Sequence, residues 1–342
     1  MTVSLVTGGC GFVGAAIARG LKARGDEVIV VDVASECPVE GVDYRRVDIT
    51  DRDAVLEACR GVDTIIHNAS IVHTKRNKED VVWGVNLGGT KNLLEAARGQ
   101  RVPRFVYISS GSVVYEGKDI ENGDESLPYS SISQAPYADS KIEAEKLVLA
   151  NNGRDGMVTC ALRPHVVFGP GDNRFLPALL ANARAGRLRA QIGRGVWLSD
   201  YTYVSNLVDA VLLADEALAK NGTNSIAAGQ AYFITNGEPM PFWDFVRKVG
   251  ARLGFPPIKY RIPKGIMYGI AAVKEGIDTL KGGTLNAEDG LTRFAIRYMC
   301  THHYFSIEKA RRDLGYNPSV TVAEGIERTC QHLEATGQVA VA

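Results

Sequence analysis

Tyrosine and lysine stand four residues apart twice in this 342-residue chain, in "YADSK" at 137–141 and in "YRIPK" at 260–264. A phenol with an ordinary pKa of about 10 is a poor proton acceptor at neutral pH, and a nearby ammonium brings it towards a useful range by favouring phenolate. In a chain with 13 tyrosines the spacing arises by chance, so the surroundings decide. "YADSKIEAEKL" is good helical sequence, and four residues make about one turn, which puts Tyr137 and Lys141 on one face. In the second stretch Pro263 lies between the partners and Pro256 and Pro257 just before them. Proline disfavours a helix interior, so Tyr260 and Lys264 read as structural. Proton transfer at a substrate oxygen also needs a hydroxyl donor. "YISSGSVVY" ends a strand pattern with Ser109 and Ser110, of which Ser110 is the candidate and Ser112 the alternative.

These residues sit among elements that alternate. "SLVTG", "EVIVVD", "DTIIHNAS", "RFVYISS" and "MVTCALRP" read as strands, and "AAIARGLKARG", "RDAVLEACRG", "GGTKNLLEAARGQ" and the "YADSK" segment as the helices between them. Strand and helix in repeated alternation specify an α/β fold with a doubly wound parallel sheet. From Asn173 the pattern becomes mainly helical, interrupted by the strand-like "AYFITN". The expected division is a dinucleotide-binding domain over 1–168, with 200–236 returning to it, and a smaller discontinuous lid over 169–199 and 237–342.

The first strand runs into "TGGCGFVG", which places Gly8, Gly11 and Gly14 at the start of a helix. Glycines there allow a tight turn and let backbone N–H groups approach a pyrophosphate at the helix N-terminus. The second strand ends in Asp32, whose carboxylate suits the two hydroxyls of an adenosine ribose and opposes a 2′-phosphate. No arginine follows immediately, so NAD is favoured over NADP. Asp48, after the third strand, reads either as a contact to the adenine amino group or as a turn residue.

Composition excludes several classes. The chain is 45% hydrophobic and 23% charged, and 39 basic residues balance 39 acidic ones. That is ordinary globular composition without the basic excess of a nucleic-acid partner. The six dispersed cysteines, without a C-x-x-C pair, fit a reducing compartment, and the start shows no signal-peptide pattern, so a cytoplasmic protein is expected. No apolar run reaches the length of a membrane span. "IPKGIMYGIAAVKEGIDTL" carries Lys264, Lys274, Glu275 and Asp278 and reads as an amphipathic helix over a pocket, with peripheral membrane contact as the lesser alternative.

Taken together, "TGGCGFVG", "HNAS" (67–70), "VNLGGTKN" (85–92), "SSGSVVY", "YADSK" and "LRPHVVFGPGD" (162–172) resemble, in order and over nearly the whole chain, the extended short-chain dehydrogenase/reductases. The resemblance implies a Rossmann-type sheet and Ser110, Tyr137 and Lys141 as the catalytic trio, with Asn86 buried nearby. Lys141 would also donate to the nicotinamide ribose. For the cofactor it implies contacts from Gly8, Gly11, Phe12, Val13, Gly14, Asp32, Asp48, Ile49, Asn68, Ala69, Ser70, Tyr137, Lys141, Pro164, Val166 and Val167, and for the assembly a homodimer. Within that superfamily, "SSGSVVYEGKDIENGDESLPY", "LRPHVVFGPGDNRFLP", "PFWDFVRKVG" and "FSIEKARRDLGYNPSVTVAEGIERT" look like the 3β-hydroxysteroid dehydrogenase branch, sterol-4α-carboxylate 3-dehydrogenases in particular. The implied reaction is NAD-dependent oxidation of a 3β-hydroxysteroid without a metal, coupled to decarboxylation where a 4α-carboxylate is present.

Two alternatives within the superfamily are a 2-alkyl-3-ketoalkanoate reductase, against which Asp32 weighs, and a sugar-nucleotide epimerase or dehydratase. The second is disfavoured because "LSDYTYVSN" has Ser199 where such enzymes present an arginine to a pyrophosphate. A third, a non-catalytic NAD sensor, would not need the trio. Against eukaryotic sterol decarboxylases, the segment near 265–283 is shorter and more charged, which leaves the substrate open. His73 and His165 read as structural, and the adjacent His302 and His303 lack metal-ligand context.

Overall fold

β1 (Val3–Thr7), β2 (Glu27–Asp32), β4 (Thr64–His67), β5 (Arg104–Ile108), β6 (Val158–Pro164) and β7 (Gln230–Ile234) carry almost uninterrupted buried residues, as strands covered on both faces must. With β3 (Asp43–Arg46) they form a seven-stranded parallel sheet in the order β7-β6-β5-β4-β1-β2-β3 in the computed structural model, which describes residues 1–72, 79–133, 135–280 and 292–339. The strand order reverses between β1 and β4, and the crevice beyond their carboxyl ends is where such sheets bind ligands. Asp48 lies two residues beyond β3.

Helices cover both faces. α1 (Phe12–Arg24) crosses α7 (Val204–Asn221) closely at Gly20, where a Cβ would come within 2.3 Å of Val208. On the other face lie α2 (Arg52–Ala58), α4 (Thr90–Gly99) and α5 (Pro136–Ala150), sharing a core with Leu93, Phe105, Tyr107 and Val148. α3 (Glu79–Trp83) runs into α4 through a π-helical stretch, Gly84–Gly89, that no periodicity announced. π turns of this kind gather at functional sites.

The later segments build a second, aromatic core. It is made by α6 (Phe175–Arg184), α8 (Phe242–Arg252), α9 (Lys264–Leu280), α10 (Arg293–Met299) and α12 (Val322–Ala335), around Phe168, Tyr201, Trp243 and Phe245. α11 (Glu308–Leu314) instead joins the core beneath α1 and α7 through Ala310 and Leu314. A four-stranded sheet of Met240–Pro241, Leu198–Ser199, His303–Phe305 and Ile120–Gly123 contributes Phe305 and Ile120 to a smaller cluster with Phe233. Strands of two to four residues have no alternation long enough to read from sequence. On α9, Ala271 is buried and Met267 and Lys274 face a cavity, while Ile266, Ile270, Val273, Ile277 and Leu280 form an exposed stripe. Among the described residues no helix is long and apolar enough to cross a membrane.

α5 opens with Pro136 in its first turn, where a missing N–H costs nothing. It is tied to the sheet by a buried ion pair. Arg163 of β6 donates through Nη2 to Glu145 Oε1 at 2.6 Å, and the Tyr129 hydroxyl donates to the same oxygen at 2.8 Å. Breaking one partner of such a pair strands a buried charge. Glu145→Ala is expected to lower stability by about 3–5 kcal/mol, read as a shift in the urea midpoint; a midpoint within error of the wild type would refute the pair's anchoring role.

Candidate active site

The phosphate cradle is defined by close approach. Gly8 has φ +66°, and a Cβ on it would lie 2.8 Å from Ala69 Cα; one on Gly14 would lie 2.0 Å from the Gly8 carbonyl oxygen. At Gly11 a Cβ would meet only the Gly8 oxygen, at 3.4 Å, an ordinary contact. Packing therefore does not demand glycine there, and an open face for a ligand does. Phe12 and Val13 begin α1, and Val13 packs on the core behind it. Asp32 accepts from the Cys10 amide at 2.9 Å through one oxygen and from the Val33 and Ala34 amides through the other. The carboxylate is thereby fixed at the rim of the cradle. These features fit a dinucleotide.

Sequence reading missed Arg46, which pairs in register with Asp32 across β2–β3 and donates to the Val33 carbonyl at 3.3 Å. Counting register along "YRRVD" would have found it. Asp48 is exposed and accepts from the Thr50 amide and hydroxyl, the turn alternative, while Ile49 is buried against Gly89.

At the switch point the strand ends are laced by a directional chain. Thr7 Oγ1 accepts from the Asn68 and Ala69 amides and bonds His67 Nδ1 at 2.8 Å; His67 Nε2 bonds Thr90 Oγ1 at 2.8 Å; Thr90 donates to the Asn86 carbonyl at 2.6 Å. Burial pushes His67 down to about 3, so the ring is neutral. Asn86, at the π turn, then accepts from the Ile71 amide and donates to the Ile71 carbonyl and to Ser140 Oγ, and Ser140 donates to the Tyr137 carbonyl. Asn68 Nδ2 donates to the Gly8 carbonyl at 3.3 Å, and Ser70 is half-buried beside this chain.

The trio is brought together at the end of β5 and the start of α5. Ser110 Oγ accepts from the Ser112 amide and hydroxyl, which leaves its own proton for the Tyr137 hydroxyl. Lys141 is 2% exposed, and its Nζ donates to the Ile108 carbonyl at 2.7 Å over the Tyr107 ring. The electrostatics bear on one expectation. Burial raises the Tyr137 phenol above its ordinary value, opposed by the Ser110 hydrogen bond and by the charge of Arg174, with no contribution from Lys141. Burial pushes Lys141 itself down to about 7, against a pull from Glu145. An amine that titrates there is only partly charged at neutral pH, so burial works against its action on the phenol. Arg174, unremarked in the sequence, heads α6 beside Asp172, which accepts from the Arg174, Phe175 and Leu176 amides.

Beyond Pro164, at the end of β6, Val166 has φ +40°, a rare conformation for a β-branched residue and one found where function holds the backbone. Its carbonyl accepts from the Thr202 amide, and Val167 begins the short strand Val167–Phe168 that pairs with Thr202–Tyr203. His165 is held at both backbone groups by Thr202 Oγ1. Its ring lies in a buried cluster: Nε2 is 2.9 Å from His303 Nδ1 and 2.9 Å from the Tyr298 hydroxyl, and His303 Nε2 is 2.8 Å from the Tyr298 carbonyl. Burial pushes His303 down to about 4 and His165 well below its ordinary range. His302 Nδ1 accepts from the Leu198 amide, and His73 lies outside the described residues.

A cavity of about 790 Å³ adjoins this cluster, walled by apolar side chains such as Phe175, Leu179, Trp243, Met267 and Phe294, with Val166, Tyr298 and His303 at one end. Ser199 lines it, and the strand Leu198–Ser199 contributes no basic side chain. Arg187 and Lys274 reach the cavity from other elements, cations that a motif comparison could not show. The second Tyr-Lys pair does not converge: Tyr260 is 66% exposed in a strand, and Lys264 turns to the Cys300 carbonyl.

A glycine-cradled crevice at the switch point, with serine, tyrosine and lysine on adjoining elements, defines an extended short-chain dehydrogenase/reductase. Residues 5–263 match the model of the 3-beta hydroxysteroid dehydrogenase/isomerase family, and the chain belongs to that family. It is an NAD(P)-dependent oxidoreductase. The chain is 40% identical over 328 residues to 2-alkyl-3-oxoalkanoate reductase of Stenotrophomonas maltophilia (strain K279a), covering 95% of this chain and 97% of that protein. It is 36% identical over 327 residues to the decarboxylating sterol-4-alpha-carboxylate 3-dehydrogenase of Mus musculus, covering 95% and 89%. Among solved structures, Thermus thermophilus UDP-glucose 4-epimerase in complex with NAD superposes with a TM-score of 0.72 at 25% identity, covering 97% and 98%.

Two outcomes follow from the geometry. The folded protein releases the Lys141 proton near pH 7, whereas the unfolded chain holds it to its ordinary 10.5. The unfolded state binds more protons across that window, so stability attributable to Lys141 rises with pH through it. Wild type should therefore gain stability relative to Lys141→Met between pH 7 and pH 10, and parallel urea-midpoint profiles would exclude the shift. Asp32→Asn, which keeps an acceptor and removes the charge, should weaken NAD binding about tenfold while improving NADP binding beside Arg46. Fluorescence titration with each cofactor measures both.

Proposed function

We propose that this protein oxidises the 3β-hydroxyl of a hydroxysteroid with NAD, and that the preferred substrate carries a carboxylate on the adjoining C4 carbon. The observation that carries the reading is a large, mainly apolar cavity lined by Tyr298, which interacts electrostatically with the Tyr137 phenol. A volume of about 790 Å³ suits a rigid, largely apolar ligand. Two relatives support the carboxylate, since a sterol 4-carboxylate and a 2-alkyl-3-oxoalkanoate both place one on the carbon beside the reacting one. On this reading residues 1–168 with 200–236 hold the dinucleotide, and 169–199 with 237–342 cover the substrate. The cavity lining, drawn from Phe175 to Ser199 and from Phe242 to His303 with Val166 as the one residue from the first unit, supports that division. The exposed apolar stripe of α9 supports peripheral contact with a membrane that supplies such a substrate.

The bound dinucleotide supplies the acceptor for the hydride leaving C3. Gly8, Gly11 and Gly14 would hold its pyrophosphate, and Asp32 its adenosine ribose. Tyr137, as phenolate, takes the hydroxyl proton while Ser110 donates to the same substrate oxygen. Arg174 offsets part of the burial cost of the phenolate. The product ketone makes the neighbouring carboxylate a β-keto acid. Its C4–carboxyl bond then breaks, carbon dioxide leaves, and the electron pair passes into an enol that is protonated to the ketone.

A reductase acting on 2-alkyl-3-oxoalkanoates is the second reading, favoured by the full-length match to that enzyme. Purified protein should form reduced NAD with a 4α-carboxy-3β-hydroxysterol, and Tyr137→Phe should lose about a hundredfold to ten-thousandfold in turnover with cofactor affinity kept. Full activity in that variant would sink the mechanism. Faster consumption of a 2-alkyl-3-oxoalkanoate with reduced cofactor would select the second reading, and inactivity towards both substrates would reject the two.

A further inference from the structure

We infer that Tyr298 is a substrate-binding residue whose hydroxyl donates a hydrogen bond to the carboxylate beside the reacting carbon. The assignment rests on the substrate class proposed above and adds the group that recognises it.

The argument is one of proton counting through the buried cluster. A backbone carbonyl can only accept, so the 2.8 Å contact between His303 Nε2 and the Tyr298 carbonyl puts the proton of His303 on Nε2. The ring is neutral at physiological pH, so its Nδ1 is bare and accepts. The partner 2.9 Å away, His165 Nε2, must then be the one that carries a proton. His165 is also neutral, and its Nε2 is the atom 2.9 Å from the Tyr298 hydroxyl. That nitrogen cannot accept the phenol proton. The His165 Nε2 proton is directed at His303 Nδ1, so Tyr298 keeps its own, for which no hydrogen-bond acceptor is found among the described residues.

The opposite order, with Tyr298 donating to His165 and His303 Nδ1 donating as well, would leave two lone pairs facing each other at 2.8 Å. The phenol cannot swing away, because its ring is stacked on His303 at 4.0 Å and lies edge-on to Tyr115 at 5.4 Å.

Tyr298 lines the large cavity and lies close enough to Tyr137 for the two phenols to interact electrostatically. The reacting oxygen already has Ser110 and Tyr137, so a third donor on this wall serves a neighbouring oxygen. In a substrate with a carboxylate on the next carbon, that oxygen is anionic, and a buried donor to an anion is worth more than one to a neutral group. His303 and His165 are positioning residues in this scheme.

The test compares a 4α-carboxy-3β-hydroxysterol with the same sterol lacking the carboxyl group. Tyr298→Phe should raise KM for the acid about tenfold to a hundredfold, with kcat, cofactor affinity and the melting curve kept, and leave the des-carboxy sterol unaffected. His303→Phe removes the Nδ1 acceptor and retains a ring to stack. It frees His165 to accept from Tyr298 and should raise KM for the acid selectively with Tyr298 still in place. Equal losses on both sterols, or no loss on the acid in either variant, would overturn the assignment. Wild type that ignores the acid yet turns over the des-carboxy sterol would overturn the substrate class, a failure separate from an acid-preferring wild type with an unaltered Tyr298→Phe.

Discussion

The hydrogen-bond chain from Thr7 through His67, Thr90 and Asn86 to Ser140 is the constraint on which the site depends. It joins the carboxyl ends of β1 and β4 to the π turn and then to the first turn of α5. Each link has a fixed direction because a neutral histidine has one donor and one acceptor. Cradle and phenol are thereby held in one frame, although they follow different strands of the sheet. Buried polar chains of this kind are costly when half satisfied and rigid when complete, and here the described members are all engaged.

The same low-dielectric setting governs the charges. Burial raises Tyr137 and depresses Lys141, so both groups of α5 favour their neutral forms in the protein by itself. Glu145 pulls Lys141 the other way while directing most of its own bonding to Arg163 and Tyr129. The ion pair that anchors the helix thus also trims the proton balance one turn away from it. The cation that opposes the rise of the phenol is Arg174, at the head of a separate element.

Much of this was legible in the chain because it is local. A glycine turn between a strand and a helix, one helical turn separating Tyr137 from Lys141, and a strand ending in Ser110 are short-range patterns, and the alternation of elements specified the parallel sheet and its family. What stayed hidden is what the tertiary fold assembles. Tyr298 and His303 meet His165 only because a later helix and a three-residue strand pack against the end of β6. Arg46 faces Asp32 through register, and the depressed Lys141 is a result of burial depth. The expectation of an ammonium that lowers the phenol followed from chemical type and spacing, which carry no information about the desolvation that opposes it.

The π turn at Gly84–Gly89 has a consequence for how this region can change. A π turn is an α-helix with one residue inserted, and each residue of an α-helix turns the chain by about 100°. Deleting a single residue there would restore regular geometry, yet it would rotate α3 against α4 and carry Asn86 away from Ile71 and Ser140. The stretch can therefore accept many changes of side chain while tolerating no change of length. In a lineage of such sequences, gaps should avoid this turn even where the identities around it drift.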